Sequence, residues 1–121
     1  MNPLLTALLS IVLSVAAQFC LKAGMSSADA QSALSDPFRV RAVAAIFANG
    51  YVLAGFALYA LGAVVWLAVL SKWDVSKAYP LVGLGFLATV AVGAIAGEHV
   101  SLPRLIGVLL ICAGVFIVAR S

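Results

Sequence analysis

The stretch Lys72-Trp-Asp-Val-Ser-Lys-Ala-Tyr-Pro80, continued by the apolar run 81–97 and closed by Glu98, decides how this chain is read. It couples a short polar turn to an apolar segment of about twenty residues, the length that crosses a bilayer as a helix. Gly85, Thr89, Gly93 and Gly97 fall four apart and would form one ridge along that helix. Small residues at this interval let two helix backbones approach closely inside lipid. The stretch therefore predicts a membrane helix crowded by neighbours.

Composition extends the same reading to the whole chain. Of 121 residues, 65% are hydrophobic and only 9% are charged, against about a quarter charged in a soluble domain. The charges cluster between long apolar runs, which predicts an all-α membrane protein. Four spans are expected, at about 3–23, 51–71, 78–97 and 103–119, forming one transmembrane domain over 1–121. The net charge of +3 is scattered, without the basic density expected of nucleic-acid contact. Cys20 and Cys112 fall inside spans with no second ligand nearby, so neither a disulfide framework nor a metal site is expected. No cofactor is expected either. Residues 1–21 hold no Lys or Arg and form too long an apolar run for a signal peptide, so 3–23 reads as a retained span.

Span one carries a polar ridge. Thr6, Ser10, Ser14, Gln18 and Lys22 follow at intervals of four, a row that winds slowly around the helix. The hydroxyls can instead bond the carbonyl four residues back and serve as small packing groups. Gln18 is different, because a buried primary amide needs partners. Lys22 is either an interfacial anchor or a fixed cation at the mouth of a polar path.

Residues 24–37 read as a polar connection. Asp36 is then expected as an N-cap, with Pro37 at the first helical position. The following run, closed by Asn49-Gly50, is too short to cross a bilayer and predicts an interfacial helix. Its Arg39 and Arg41 would meet lipid headgroups. Gly55, Tyr59, Gly62 and Trp66 interrupt the aliphatic character of span two, and Trp66 can form the wall of an apolar cavity. In span four Gly107 and Gly114 stand seven apart and suit packing within or between subunits. The two ends of the bundle carry Lys72, Lys77 and Arg120 against Lys22, Arg39, Arg41 and Arg104, almost no bias for orientation.

No catalytic grouping is visible, so an enzyme is not expected. No acidic residue lies mid-span, so proton exchange through a buried carboxylate lacks its central part. Four short helices can hardly enclose a substrate alone, whereas a dimer supplies eight.

The segments Trp66-Leu-Ala-Val-Leu-Ser-Lys-Trp-Asp-Val-Ser-Lys-Ala-Tyr79-Pro80, Gly97-Glu98 and Gly107-Val-Leu-Leu-Ile-Cys-Ala-Gly114-Val-Phe-Ile-Val-Ala-Arg120 resemble the four-helix branch of the drug/metabolite transporter superfamily. With Ala17-Gln18-Phe-Cys-Leu-Lys22-Ala-Gly24-Met25, they are most similar to its aminoarabinose–phosphoundecaprenol flippase subunits. The similarity covers nearly the whole chain except 26–48. The small multidrug resistance exporters of the same branch carry a first-span glutamate where this chain has Ser14, and a span-three tryptophan near Val82. Both are missing here, and Lys22 favours an anionic substrate. Lys77 departs from the small or apolar residue expected before Ala-Tyr-Pro.

The resemblance implies a bacterial inner-membrane flippase subunit. It would act as a homodimer or heterodimer on an undecaprenyl-phosphate-linked sugar for lipid A modification. Substrate contacts are expected at Ser14, Gln18, Lys22, Trp66, Lys77 and Tyr79. Two alternatives stand beside it: an exporter of drugs, polyamines or metabolites, and a non-transporting accessory subunit.

Overall fold

The computed structural model describes residues 2–35 and 37–121. Four helical spans, each long and apolar enough to cross a membrane, make this an all-α membrane protein, with no strand among the described residues. Span one is α1, Pro3–Met25. Its N-cap Asn2 accepts from the Leu4 amide at 2.9 Å, with Pro3 in the first turn, where no amide is missed. Two short helices follow, α2 at Ala28–Leu34 and α3 at Arg39–Phe47. Span two is α4, Gly50–Leu70, and the fourth span is α7, Leu102–Arg120.

The third span is composite. It comprises α5 (Val75–Ala78), a 3-10 turn (Tyr79–Gly83) and α6 (Leu84–Ile95). The sequence predicted one helix beginning at Ala78, which would put Pro80 harmlessly in a first turn. The helix instead begins at Val75, so Pro80 falls inside the span. There its ring clashes with the carbonyl four residues back and it offers no N–H. The chain responds by tightening into 3-10 geometry for five residues.

The connection between α1 and α4 also differs from expectation. Residues 24–37 are not merely a loop, because Ser27 caps α2 by accepting from the Ala30 amide at 3.2 Å. Alanine-rich sequence favours helix, and Ala30 and Ala33 are buried. Pro37 precedes α3 instead of opening it: Phe38 is extended at φ −92° and ψ 100°, and the helix starts at Arg39. The expected cap Asp36 lies outside the described residues. The short helix itself is present and buries no residue, with Val40 86% exposed. Phe47 stacks on Phe56 of α4 at 5.3 Å, which ties α3 to the second span. Asn49 both follows α3 and caps α4, accepting from the Tyr51 and Val52 amides. Its amide donates to Ser27 Oγ at 3.2 Å, linking the two short helices to the bundle.

At the centre of the bundle stands α1. It packs along α4 on one side and against α6 on another, while α7 docks on the third span. In lipid no hydrophobic gain distinguishes helix–helix from helix–tail contact, so close packing must hold spans together. The closest approach is between α1 and α4. A Cβ at Gly55 would lie 2.7 Å from Leu21 Cγ and 3.1 Å from the Ala17 carbonyl oxygen. At Gly62 it would lie 3.4 Å from the Ser10 carbonyl oxygen. The third span meets α1 at Gly85, where a Cβ would lie 3.1 Å from Ile11 Cγ2, and receives α7 at Gly83, where a Cβ would lie 2.8 Å from Val115 Cγ2.

The ridge expected on span three is therefore not one packing surface. Of its glycines, Gly85 has α1 as its nearest neighbour, whereas Gly93 faces Glu98 of its own turn. Gly97 lies beyond the helix end at φ +95°. The Glu98 amide donates to the Gly93 carbonyl and the Gly97 amide to the Ala94 carbonyl, a Schellman stop that needs the left-handed glycine. Thr89 donates to the Phe86 carbonyl at 2.8 Å. On α7, no described atom outside the glycine's own surroundings lies within 4 Å of a Cβ at Gly107 or Gly114.

Two predictions follow from this packing. Gly55→Val should weaken the α1–α4 pair by about 1–3 kcal/mol, the usual cost of overpacking. Gly107→Ala should be neutral or slightly stabilising, because alanine is the better helix former. Unfolding in mixed micelles, followed by helical circular dichroism, measures both. Equal losses would contradict the seam described here.

Candidate substrate cavity

Ser14 is the midpoint of α1 and so lies near the middle of the membrane. Beside it is a cavity of ≈ 340 Å³. Its floor is α1, with Ser10, Ser14 and Gln18. One wall is α4, with Tyr59 and Trp66; the other is the third span, with Tyr79, Phe86 and Thr89. The walls both pack on α1, and they meet each other at one end, where Val69 of α4 packs on Ala78 of the third span. The cavity opens between them, on the flank of the bundle.

Sequence periodicity explains the placement. Tyr59, Gly62 and Trp66 fall at i, i+3 and i+7 on α4, one face of a helix. Gly62 lets that face sit on α1, which brings the two aromatic rings to the cavity edge. On α1 the ridge of four-residue steps supplies Ser10, Ser14 and Gln18 in turn. The third span contributes Tyr79 from the 3-10 turn itself, then Phe86 and Thr89 from α6.

The polar groups here are largely engaged with one another. Ser10 donates across the seam to the Gly62 carbonyl at 2.7 Å. Ser14 donates to the Ser10 carbonyl at 3.0 Å, the bond to the preceding turn that the sequence allowed. Thr6 likewise donates to the Asn2 carbonyl at 3.0 Å. The Gln18 amide nitrogen donates to the Tyr59 hydroxyl, joining α1 to α4 beyond the seam. Among the described residues, no buried side-chain nitrogen or oxygen is left without a partner.

Four of the expected contact residues, Ser14, Gln18, Trp66 and Tyr79, thus surround one cavity. The two lysines do not line it. Lys22 is exposed one turn beyond Gln18, about 12 Å along the axis from Ser14 at 1.5 Å per residue. Lys77 lies toward the opposite end, where Ala78 packs with Ala7 and Val69. Its ammonium stands over the Trp73 ring, 4.7 Å from the centroid. Arg39 and Arg41 belong to the exposed α3, and Arg41 lies over the Phe38 ring at 5.3 Å. Cys20 and Cys112 are free thiols.

Sequence reasoning did not place Tyr59 or Phe86 at a cavity; Ser10 and Thr89 it put on two ridges that could line one path, without naming either as a substrate contact. The helical spacing of Tyr59 with Trp66 was the available signal. For Phe86 there was none, since its orientation follows from the 3-10 turn ahead of it.

No protein-family model matches the chain, and no solved structure does. Curated relatives do match. The probable 4-amino-4-deoxy-L-arabinose-phosphoundecaprenol flippase subunits ArnE of Pseudomonas savastanoi pv. phaseolicola and Pseudomonas aeruginosa are each 42% identical over 62 residues. The subunit of the same name from Pseudomonas fluorescens is 36% identical over 61. Each alignment covers 50% of this chain and 54% of the relative, so the chain spans about half the length of the curated relatives it matches. Over that half, the chain resembles flippase subunits of the ArnE type.

Proposed function

We propose that this protein is a subunit of a flippase in the bacterial inner membrane. It moves an undecaprenyl-phosphate-linked sugar, aminoarabinose for lipid A modification, across the bilayer. The observation that carries this reading is the cleft floored by α1 and opening on the flank of the bundle between α4 and the third span. A substrate with a long prenyl tail cannot leave the hydrocarbon, so its polar end must enter sideways while the tail stays in lipid. A mid-membrane cavity with neutral polar groups on its floor suits that path. The names of the relatives support the substrate class.

In this reading the four spans act as one transmembrane domain. Lys22, one turn beyond Gln18, meets the phosphate at one end of the path, and Lys77 serves the other end. Arg39 and Arg41 of α3 hold the short helix at the headgroups. A second copy, or a similar four-helix subunit, closes the open flank, and Gly107 and Gly114 are the close-approach residues of α7 for that contact. A second reading, export of an amphipathic cation, draws on the aromatic walls of Tyr59, Trp66, Tyr79 and Phe86.

The test is transport in proteoliposomes loaded with undecaprenyl-phosphoryl aminoarabinose, with accessibility of the sugar amine as the readout. Wild-type protein, alone or with a co-expressed second subunit, should move the lipid. Lys22→Ala should lower the rate by at least about tenfold, a barrier change of about 1.4 kcal/mol. The helical spectrum should persist, because Lys22 is exposed. Normal flipping by Lys22→Ala would remove that residue from the mechanism. Transport of a cationic dye in place of the lipid would establish the second reading. Crosslinking in native membranes should capture dimers; monomers alone would exclude the paired assembly.

A further inference from the structure

The hydrogen bonds of the cavity restrict which part of a lipid-linked sugar can occupy it. A hydroxyl carries one hydrogen and two lone pairs. Ser14 and Thr89 both donate their hydrogen to backbone carbonyls, of Ser10 and Phe86. Each therefore presents only lone pairs toward the cavity. Gln18 donates to Tyr59 and keeps its carbonyl oxygen as an acceptor. Against these acceptors stand the Tyr59 hydrogen, the second Gln18 amide hydrogen and the Tyr79 hydroxyl. Among the described residues, no Lys, Arg or His lines the cavity, and no Asp or Glu does.

A phosphate is the wrong guest for such a lining. Its oxygens only accept, and no charged donor is present to offset the cost of desolvating it, several kilocalories per mole for an ion without a partner. A sugar ring is the right one. Each of its hydroxyls donates as well as accepts, and so does an amino substituent in its neutral form, the form that a lining without a carboxylate favours. Its carbon–hydrogen faces can lie on the apolar rings of Tyr59, Trp66, Tyr79 and Phe86. The volume agrees: ≈ 340 Å³ is at the small end of small-molecule sites, about 300–1,000 Å³. That accommodates a single sugar ring but not the whole of a long prenyl chain.

We infer that the cavity is a single-ring site for a hydroxyl- or amine-bearing sugar, and that the phosphate stays outside it. The inference rests on the lipid-linked substrate proposed above and divides that substrate between two environments. The ring is recognised by acceptors and aromatic faces in mid-membrane. The anion, joined to the ring through a single oxygen, lies at the Gln18 end of the cavity, on the side of Lys22.

Trp66 reports occupancy, because it lines the cavity whereas Trp73 does not. The full chain is placed in nanodiscs in a Trp73→Phe background. If that variant fails to fold, the Trp66 signal is taken as the difference between wild type and Trp66→Phe. Two probes are titrated, undecaprenyl phosphate and undecaprenyl-phosphoryl aminoarabinose, with native mass spectrometry counting bound lipid in parallel. The sugar-bearing lipid should change Trp66 emission, and the bare phosphate should bind without doing so. Gln18→Leu and Thr89→Val should each weaken the sugar-bearing lipid by roughly tenfold, the scale of one lost hydrogen bond. Both should leave the bare phosphate unaffected. Equal Trp66 responses to the two lipids, or equal weakening of both by the variants, would overturn the inference alone. Binding of neither lipid would overturn it together with the reading on which it rests.

Discussion

The bond from the Ser10 hydroxyl to the Gly62 carbonyl can form only where two helix backbones nearly touch. In lipid such contact is the main source of helix association, because apolar side chains gain little by leaving one hydrocarbon for another. Gly55 and Gly62 permit the approach, and Ala17 and Ser10 meet them from α1. With α4 fixed along one side, α1 is left to receive the third span through Ile11 and Val15, against Gly85. The cavity is what remains between two helices that share a floor and not a wall. Opening the α1–α4 seam would therefore remove the site along with the pair.

The other constraint is Pro80. By forcing 3-10 geometry from Tyr79 to Gly83, it changes the rotation of α6 relative to α5. Gly83 then faces α7 and accepts Val115 and Ile111, while Gly85 faces α1. Two glycines two residues apart thus serve opposite neighbours. On the same turn, Leu81 is buried with Ile11 and Val115, and Tyr79 remains exposed at the cavity. One residue without an amide hydrogen arranges both the docking of the last span and an edge of the site.

Much of this was legible in the sequence, and the reasons are local. Apolar runs of bilayer length with charges between them give four helices long enough to span, since length and hydropathy are properties of each segment alone, but not their ends: the third begins at Val75 and not at Ala78. The polar ridge of α1 was readable for the same reason, as were Trp66 and Tyr79 beside Gln18. Partner choice was not. The spacing of Gly85, Thr89, Gly93 and Gly97 describes a ridge on an ideal helix, but it does not say where the helix stops or what faces it. Gly97 is the stop, and Glu98 covers Gly93. The sparser pair Gly55 and Gly62 carries the closest contact because its partners on α1 are also small. That complementarity belongs to two helices at once, so no single-segment pattern contains it. Whether Ser10 bonds its own helix or another was open for the same reason, and the nearness of Gly62 decides it.

The same donor pattern bears on how the cleft exists when empty. A polar group facing hydrocarbon is costly mainly when its donor hydrogen has no acceptor. Ser10, Ser14 and Thr89 each have one in a backbone carbonyl, and Gln18 has one in Tyr59. The lining can then face lipid on the open flank without stranding these donors, and the bundle need not collapse to satisfy them. Yet the arrangement also fixes what the lining offers to a guest, namely lone pairs, aromatic faces and the few neutral donors of Gln18, Tyr59 and Tyr79. On the proposed reading, stability of the vacant cleft and preference for a sugar ring over an anion are in this sense one property. A lining that welcomed phosphate would need a cation in mid-membrane, and that could not stand open to lipid between substrates at so small a cost.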